Sequence, residues 1–258
     1  MEKFNAVVLA GDRGQADPVA QAANTFGKAA VEFQNVSLLE RILSTLRQAQ
    51  SVEQIFIVGP NPSCLEQCPH LYDVMEEYDA HYLVPAMGPS ASAVMGIKTA
   101  QRLPILITTC DLPLLNADSV DMFCQHVASI EADFVAGAVE YGHIGQLIPK
   151  LKKTQYIFDG QKLCFANLFA VLEEPGLRAI DYWQSIEKSR KKPFEMVKKI
   201  DWMSLVRYKM GLLSLDQVER VMSRKIGARL RVQLFARPEM AIDVETAHDY
   251  QVMNEYLG

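Results

Sequence analysis

No apolar run in this chain approaches the ~18 residues that a membrane-spanning helix needs, so the sequence offers no candidate span. The opening MEKFNAVVLA has no long apolar stretch ahead of a small-residue cleavage site and reads as a first β-strand, not a secretory signal. A cytoplasmic protein is therefore expected. Cysteine is sparse: Cys64, Cys68, Cys110, Cys124 and Cys164 are odd in number and share no repeating spacing, which argues against a disulfide scaffold. Cys64 and Cys68, with His70 nearby, lack a second cysteine pair to complete a zinc site and are read as loop or helix residues. Repeats and low-complexity linkers are missing too. Nothing divides the 258 residues, and a chain of that length can bury roughly three quarters of its unfolded surface around one core. A single domain, 1–258, is expected.

The familiar phosphate loops are also absent. Val7 to Phe33 reads VVLAGDRGQADPVAQAANTFGKAAVEF, in which no third glycine opens a helix as a dinucleotide fingerprint requires. Gly27-Lys28 is followed by Ala29, where a P-loop needs Ser or Thr. An Asp-x-Asp metal motif of the kind glycosyltransferases use is missing at 111–113, which reads Asp-Leu-Pro.

What is present is an alternation of two periods. Apolar runs at 4–10, 54–58, 80–84, 104–109, 132–139 and 163–171 read as strands, and 37–50, 90–102 and 116–129 carry helical spacing, each opened by Ser or Asn as N-cap. That alternation predicts an α/β fold of three layers, a doubly wound and mostly parallel sheet covered by helices on both faces. Ligands of such sheets sit beyond the carboxyl ends of the strands. Three candidate ends carry chemistry there. At 9–14 (LAGDRG), Gly11 and Gly14 let backbone N–H groups approach a phosphate, and Arg13 adds a charge-assisted donor. At 104–115 (PILITTCDLPLL), Asp111 follows a buried strand, suited either to ligate a metal or to cap the turn. At 240–250 (MAIDVETAHDY), Asp243 ends a short apolar run, Glu245 or Thr246 starts a helix, and Asp249 is assigned to its solvated face.

In this order the three stretches resemble the GT-A type nucleotidyltransferases, the group of molybdenum-cofactor guanylyltransferase, the cytidylyltransferase of the methylerythritol pathway and the sugar-phosphate nucleotidylyltransferases. LAGDRGQA, Lys28 and NVSLLERIL are similar to the family's opening loop, its lysine and the segment after it. CDLPLL resembles its metal-aspartate motif, IDVETAHDY its C-terminal motif, and GPSASAVMGIKTA (88–100) the segment placed against base and ribose. ADPVA (16–20) in the first loop, close to an AxDPxA pattern, FANLF, and RKKPF…GLLSLDQVE…IG over 190–227 are similar to a bacterial branch of the group.

The resemblance implies transfer of a nucleoside monophosphate from a nucleoside triphosphate to a phosphorylated acceptor, with release of pyrophosphate. Leu9, Ala10, Gly11, Gly14, Gly88 and Ser92 would bind nucleotide, Arg13 and Lys28 would neutralise phosphate charge, and Asp111 with Asp243 would hold Mg²⁺. Glu140, His143 and Asn167, in EYGHIGQ and FANLF, are candidates for the acceptor half. Two positions depart from the pattern. Asp12 stands in place of a loop glycine and Ala16 in place of an arginine, which sets repulsion beside a triphosphate and removes a bidentate clamp. A catalytically weak nucleotide-binding or regulatory module is the alternative.

Residues 185–231 hold 13 Lys/Arg against 5 Asp/Glu, in a chain whose net charge is −5. Within them, Pro193 suits the first turn of a helix whose apolar positions run beside the basic ones. The segment reads as a helical insertion, about 176–227, packed on the domain or forming a homodimer contact. The other reading is a basic patch that steers a phosphorylated, lipid-linked acceptor, with peripheral membrane contact. It carries no nucleic-acid-binding motif, and no nucleic-acid partner is expected.

Overall fold

The computed structural model describes residues 2–11, 16–186, 206–208 and 210–258. Its centre is β1 (Phe4–Leu9), buried at all six positions. Such a strand touches helices on both faces and reads as a nearly continuous apolar run, broken only by Asn5, whose buried amide donates to Ala100 O at 3.1 Å. Strands β4 (Val52–Val58) and β6 (Ile105–Thr109) flank it in parallel, and β5 (Ala80–Leu83) extends the sheet beyond β4. On the other side β9 (Gln161–Val171) runs antiparallel to both β6 and β7 (Phe134–Glu140), and β10 (Leu230–Phe235) lies parallel to β7. The order is β10-β7-β9-β6-β1-β4-β5, with the short β8 (Tyr156–Phe158) hairpinned onto β9. Strands β2 (Glu32–Phe33) and β3 (Val36–Ser37) form a separate hairpin turned by Gln34 and Asn35, both at positive φ. The sheet is thus mixed but mostly parallel, as the alternating pattern predicts.

Alternate residues of β1 feed two cores. Val7 and Leu9 pack with Ala93 and Ile97 of α5 (Pro89–Ala100) and Ile180 of α8 (Leu177–Ile186). Ala6 and Val8 face the opposite core with α2 (Leu38–Gln48), α4 (His70–Glu77) and α6 (Ala117–Ala128). Helix α5 comes so close to the sheet that a Cβ on Gly96 would lie 2.4 Å from Val7 Cγ1.

Two predicted N-caps form: the Glu40 N–H donates to Ser37 Oγ at 3.1 Å, and the Ser119 N–H to Asn116 Oδ1 at 2.9 Å. The third differs. Helix α5 begins at Pro89 behind Gly88, whose φ of 114° lies in the region glycine favours, and Ser90 is buried inside the first turn. Within the predicted insertion, α8 and α9 (Leu215–Ile226) are helical, the latter opened by a Ser214–Gln217 capping box. The helix expected at Pro193, and six of the 13 basic residues, fall on 187–205, outside the described residues. No described helix is long and apolar enough to cross a membrane.

Candidate active site

The site forms where β1 and β6 end side by side. The Cys110 N–H donates to Leu9 O at 3.1 Å, and Asp111 follows at the carboxyl edge of the sheet. Lys28, in a 3₁₀ turn over Lys28–Ala30, places Nζ 2.9 Å from Asp111 Oδ2. Burial alone would push the Asp111 carboxyl up, but the Lys28 ammonium, with Lys153 further off, holds it below the usual carboxylate range. Lys28 loses stabilisation to burial, yet Asp111 and Asp17 raise it above an ordinary lysine. Both groups are therefore charged at neutral pH. Asp17, the acid of the ADPVA stretch, caps α1 (Pro18–Ala22) by accepting from the Val19 and Ala20 N–H groups at 2.9 and 3.3 Å.

A second ion pair comes from the far end of the chain. The Val244 N–H donates to Asp111 O at 2.9 Å and so draws Asp243 alongside. Lys153 Nζ lies 2.7 Å from Asp243 Oδ1 and 3.5 Å from Asp249 Oδ2, and also donates to Asp243 O. Asn167, on β9, donates from Nδ2 to Asp243 Oδ2 at 3.2 Å. Burial raises the Asp243 carboxyl; Lys153 opposes this, and the charges of Asp111 and Glu245 reinforce it. Two carboxylates thus face one another across the site, each held by a lysine. Asp249 does not lie on a solvated face as expected. It is buried, takes the Glu245 and Thr246 N–H groups at 3.0 Å each, and completes a capping box that starts α10 (Ala247–Leu257). Lys153 escaped the sequence reading altogether.

The nucleotide-side candidates are ordered by close backbone approaches. Gly59 sits at φ 103°, where a Cβ would lie 2.5 Å from Ala10 C and from Gly11 N. Gly11 faces Pro85, and Ser92 Oγ accepts the Ala86 N–H at 3.1 Å, tying the turn before Gly88 to α5. Asp12, Arg13 and Gly14 lie outside the described residues. The acceptor candidates separate: Asn167 joins the aspartates, whereas Glu140 and His143 line another cavity of about 260 Å³ with Gln161 and Phe235. EYGHIGQ is not a loop, because 141–147 form helix α7 (Tyr141–Leu147).

The larger cavity, about 410 Å³, opens beside Lys153, Asn167 and Asp243 and runs under α8 and α9 along one sheet face. Within the site, Asp111 Oδ1 is buried with no hydrogen-bond partner. That oxygen and the facing Asp243 suit Mg²⁺, which takes one or two protein carboxylates and completes its shell with water and substrate phosphate. Among the described residues no cluster of three or more His, Cys, Asp or Glu is placed to hold a metal alone.

Residues 6–188 match the MobA-like NTP transferase domain. The chain belongs to that family. The fold of this NTP transferase domain is shared by a hypothetical transferase from Thermus thermophilus, 22% identical, with a TM-score of 0.77 over 96% of this chain and 99% of the other. It is shared as well by 4-diphosphocytidyl-2C-methyl-D-erythritol synthase from Anaerococcus prevotii, 14% identical, TM-score 0.57, over 99% and 98%. CMP:2-keto-3-deoxy-manno-octonic acid synthetase, solved with CTP, is 8% identical with a TM-score of 0.57, again over 99% and 98%. No curated protein matches the chain in sequence. In this NTP transferase domain the matched span carries Lys28 and Asp111, while Asp243 lies beyond it, returned to the site by β10 and the Val244–Asp111 hydrogen bond.

Proposed function

We propose that the chain transfers a nucleoside monophosphate from a nucleoside triphosphate to a phosphorylated acceptor and releases pyrophosphate. The observation that carries this reading is the convergence of Lys28–Asp111 and Lys153–Asp243 at one strand edge of an NTP transferase domain. An acceptor phosphate oxygen attacks the α-phosphorus, the bond from that phosphorus to the bridging oxygen of the β-phosphate breaks, and pyrophosphate leaves with the electron pair. The acceptor is already anionic, so no side-chain nucleophile is required; alignment and charge neutralisation lower the barrier. Lys28 moves its ammonium from Asp111 toward the triphosphate. The Ala10 N–H is spent on Val58 O at 2.9 Å, so it is the Gly11 N–H just beyond β1 that orients the phosphates, and Asn167 with Lys153 meets the acceptor phosphate. Asp111 and Asp243 would hold Mg²⁺, which supplies Lewis-acid polarisation of the α-phosphate.

A pyrophosphate-release assay with each of the four nucleoside triphosphates, Mg²⁺ and a panel of phosphorylated acceptors tests the reading. Pyrophosphate formation that depends on acceptor supports it. Release of nucleoside diphosphate overturns it, and Mg²⁺-dependent triphosphate binding without turnover on any acceptor favours the binding module instead.

A further inference from the structure

Resting on the reading of the chain as a nucleotidyltransferase, we propose that its acceptor is an amphiphile: a phosphate attached to an alkyl or aryl body that fills the cavity under α8 and α9. At one end of the lining Lys153 and Asn167 lie 2.7 and 3.2 Å from the Asp243 carboxylate, and the remaining polar members are Thr108, Thr109, Thr154, Tyr156 and Glu245. Away from that end the walls are Ile107, Phe134, Phe169, Ile180, Trp183 and Met222. The aromatic rings form a continuous surface, with Phe134 and Phe169 stacked at 6.2 Å and Phe169 next to Trp183 at 6.3 Å. A volume of about 410 Å³ is within the range of small-ligand sites.

The chemistry of the walls selects the class of acceptor. A sugar phosphate has several hydroxyls that must each keep a hydrogen bond when they leave water; the lining offers the hydroxyls of Thr108, Thr109, Thr154 and Tyr156 and the Glu245 carboxylate, but most of its surface is aromatic and aliphatic and gives them none. An alkyl or aryl body loses nothing by leaving water and gains with every apolar group buried. A phosphate held by Lys153 and Asn167 lies beside Asp243, with its apolar body along the aromatic wall. Leu9 and Pro89 also line the cavity, which joins it to the β1 and α5 ends where the nucleotide is proposed to bind.

The test is calorimetry on the full chain with four probes: inorganic phosphate, glucose 1-phosphate, phenyl phosphate and decyl phosphate, the last kept below its micelle threshold. Decyl phosphate is expected to bind at least tenfold more tightly than inorganic phosphate, since each buried methylene multiplies affinity by about four. A larger gain for phenyl phosphate than for decyl phosphate would assign an aromatic body; the reverse assigns a chain. Ala136→Phe and Ala179→Phe each place a ring in the cavity and should abolish the preference for the apolar probes while phosphate still binds. Two variants from different walls, each checked by circular dichroism, guard against one that fails to fold. Equal affinity for all four probes, or tighter binding of glucose 1-phosphate, overturns the proposal. A parallel thermal-shift series with nucleoside triphosphates and Mg²⁺ separates the two readings: amphiphile selectivity without any triphosphate response leaves the cavity assignment standing and removes nucleotidyl transfer. Triphosphate binding without amphiphile selectivity does the opposite.

Discussion

Lys153→Met removes the cation that stands between two buried carboxylates and keeps most of the stem's volume. The Lys153 side chain is 7% exposed, that of Asp243 17% and that of Asp249 5%. Removing one partner of a buried ion pair costs about 3–5 kcal/mol, because the remaining charge is left uncompensated. Here the penalty falls chiefly on Asp243. Asp249 sits further from the ammonium, at 3.5 Å, and keeps two backbone N–H donors at 3.0 Å. A loss of about 3 kcal/mol at pH 8 is therefore expected, a large share of a typical 5–15 kcal/mol.

The pH dependence follows from the sign of the shift. Burial already holds the Asp243 carboxyl above its ordinary value of 3.8, against the pull of Lys153. An acid raised in the folded state binds more protons folded than unfolded, so its unfavourable contribution is relieved as pH falls through the interval between the raised and ordinary values. Without Lys153 that interval extends upward. The deficit of the variant relative to the natural protein should shrink between pH 8 and pH 5, and Mg²⁺ should stabilise the variant more than the natural protein. Urea titrations at both pH values, with and without MgCl₂, measure this. A deficit under about 1 kcal/mol at pH 8, or one that deepens on acidification, refutes the picture of Lys153 as the counter-ion of a buried pair.

Asp111→Asn should eliminate Mg²⁺-dependent stabilisation by nucleoside triphosphates in a thermal-shift assay, and should lower apo stability by about 1–3 kcal/mol because Lys28 loses its anion. Lys28→Ala should weaken triphosphate binding in calorimetry while the metal response persists, since an ammonium contributes charge and does not coordinate. Gly59→Ala should cost more than about 2 kcal/mol in urea unfolding, as it combines a positive φ with a clash against the backbone of Ala10 and Gly11; a change under about 0.5 kcal/mol would show that the β1 loop yields freely.

The strands most legible in the sequence are those buried on both faces. FNAVVL and ILITT are apolar but for Asn5, Thr108 and Thr109 and do not alternate in and out of solvent, so they are not confused with a surface helix and their ends fall within a residue or two of the prediction. β10 was not legible for the converse reason. In LRVQLF most positions are half-buried or exposed, and the strand follows a basic run whose composition suggests a helix. Its place in the sheet comes from partners 96 residues away: Asp133 takes the Arg229 N–H at 2.7 Å and the Arg229 guanidinium at 2.7 and 3.0 Å, and the β10–β7 register follows. The start of α5 was misjudged because Ser looks like the better cap by side chain, whereas the chain turns on the φ of Gly88.

In the site, Asp111 and Asp243 were legible because a carboxylate directly after an apolar run has few places to go but the sheet's ligand edge. Their counter-ions were legible unequally. Lys28 stands alone among apolar and small residues, whereas Lys153 stands in LKKT, a short basic stretch that reads as solvated. The partners are 83 and 90 residues apart, and contacts at that separation leave no periodic mark. Two signals nonetheless existed. Thr246-x-x-Asp249 has the spacing of a capping box, which places the acid on the helix N-terminus and not on an outer face. The second is charge accounting: the buried Asp249 and the part-buried Asp111 and Asp243, gathered at one site, require cations that Lys28 alone does not supply. With Lys153 added the cluster still has one more carboxylate than ammonium, and the neighbouring Asp111 charge adds to the burial that raises the Asp243 carboxyl. In the proposed function a Mg²⁺ held by Asp111 and Asp243 would add positive charge at both carboxylates, and metal and triphosphate binding would then be coupled through them.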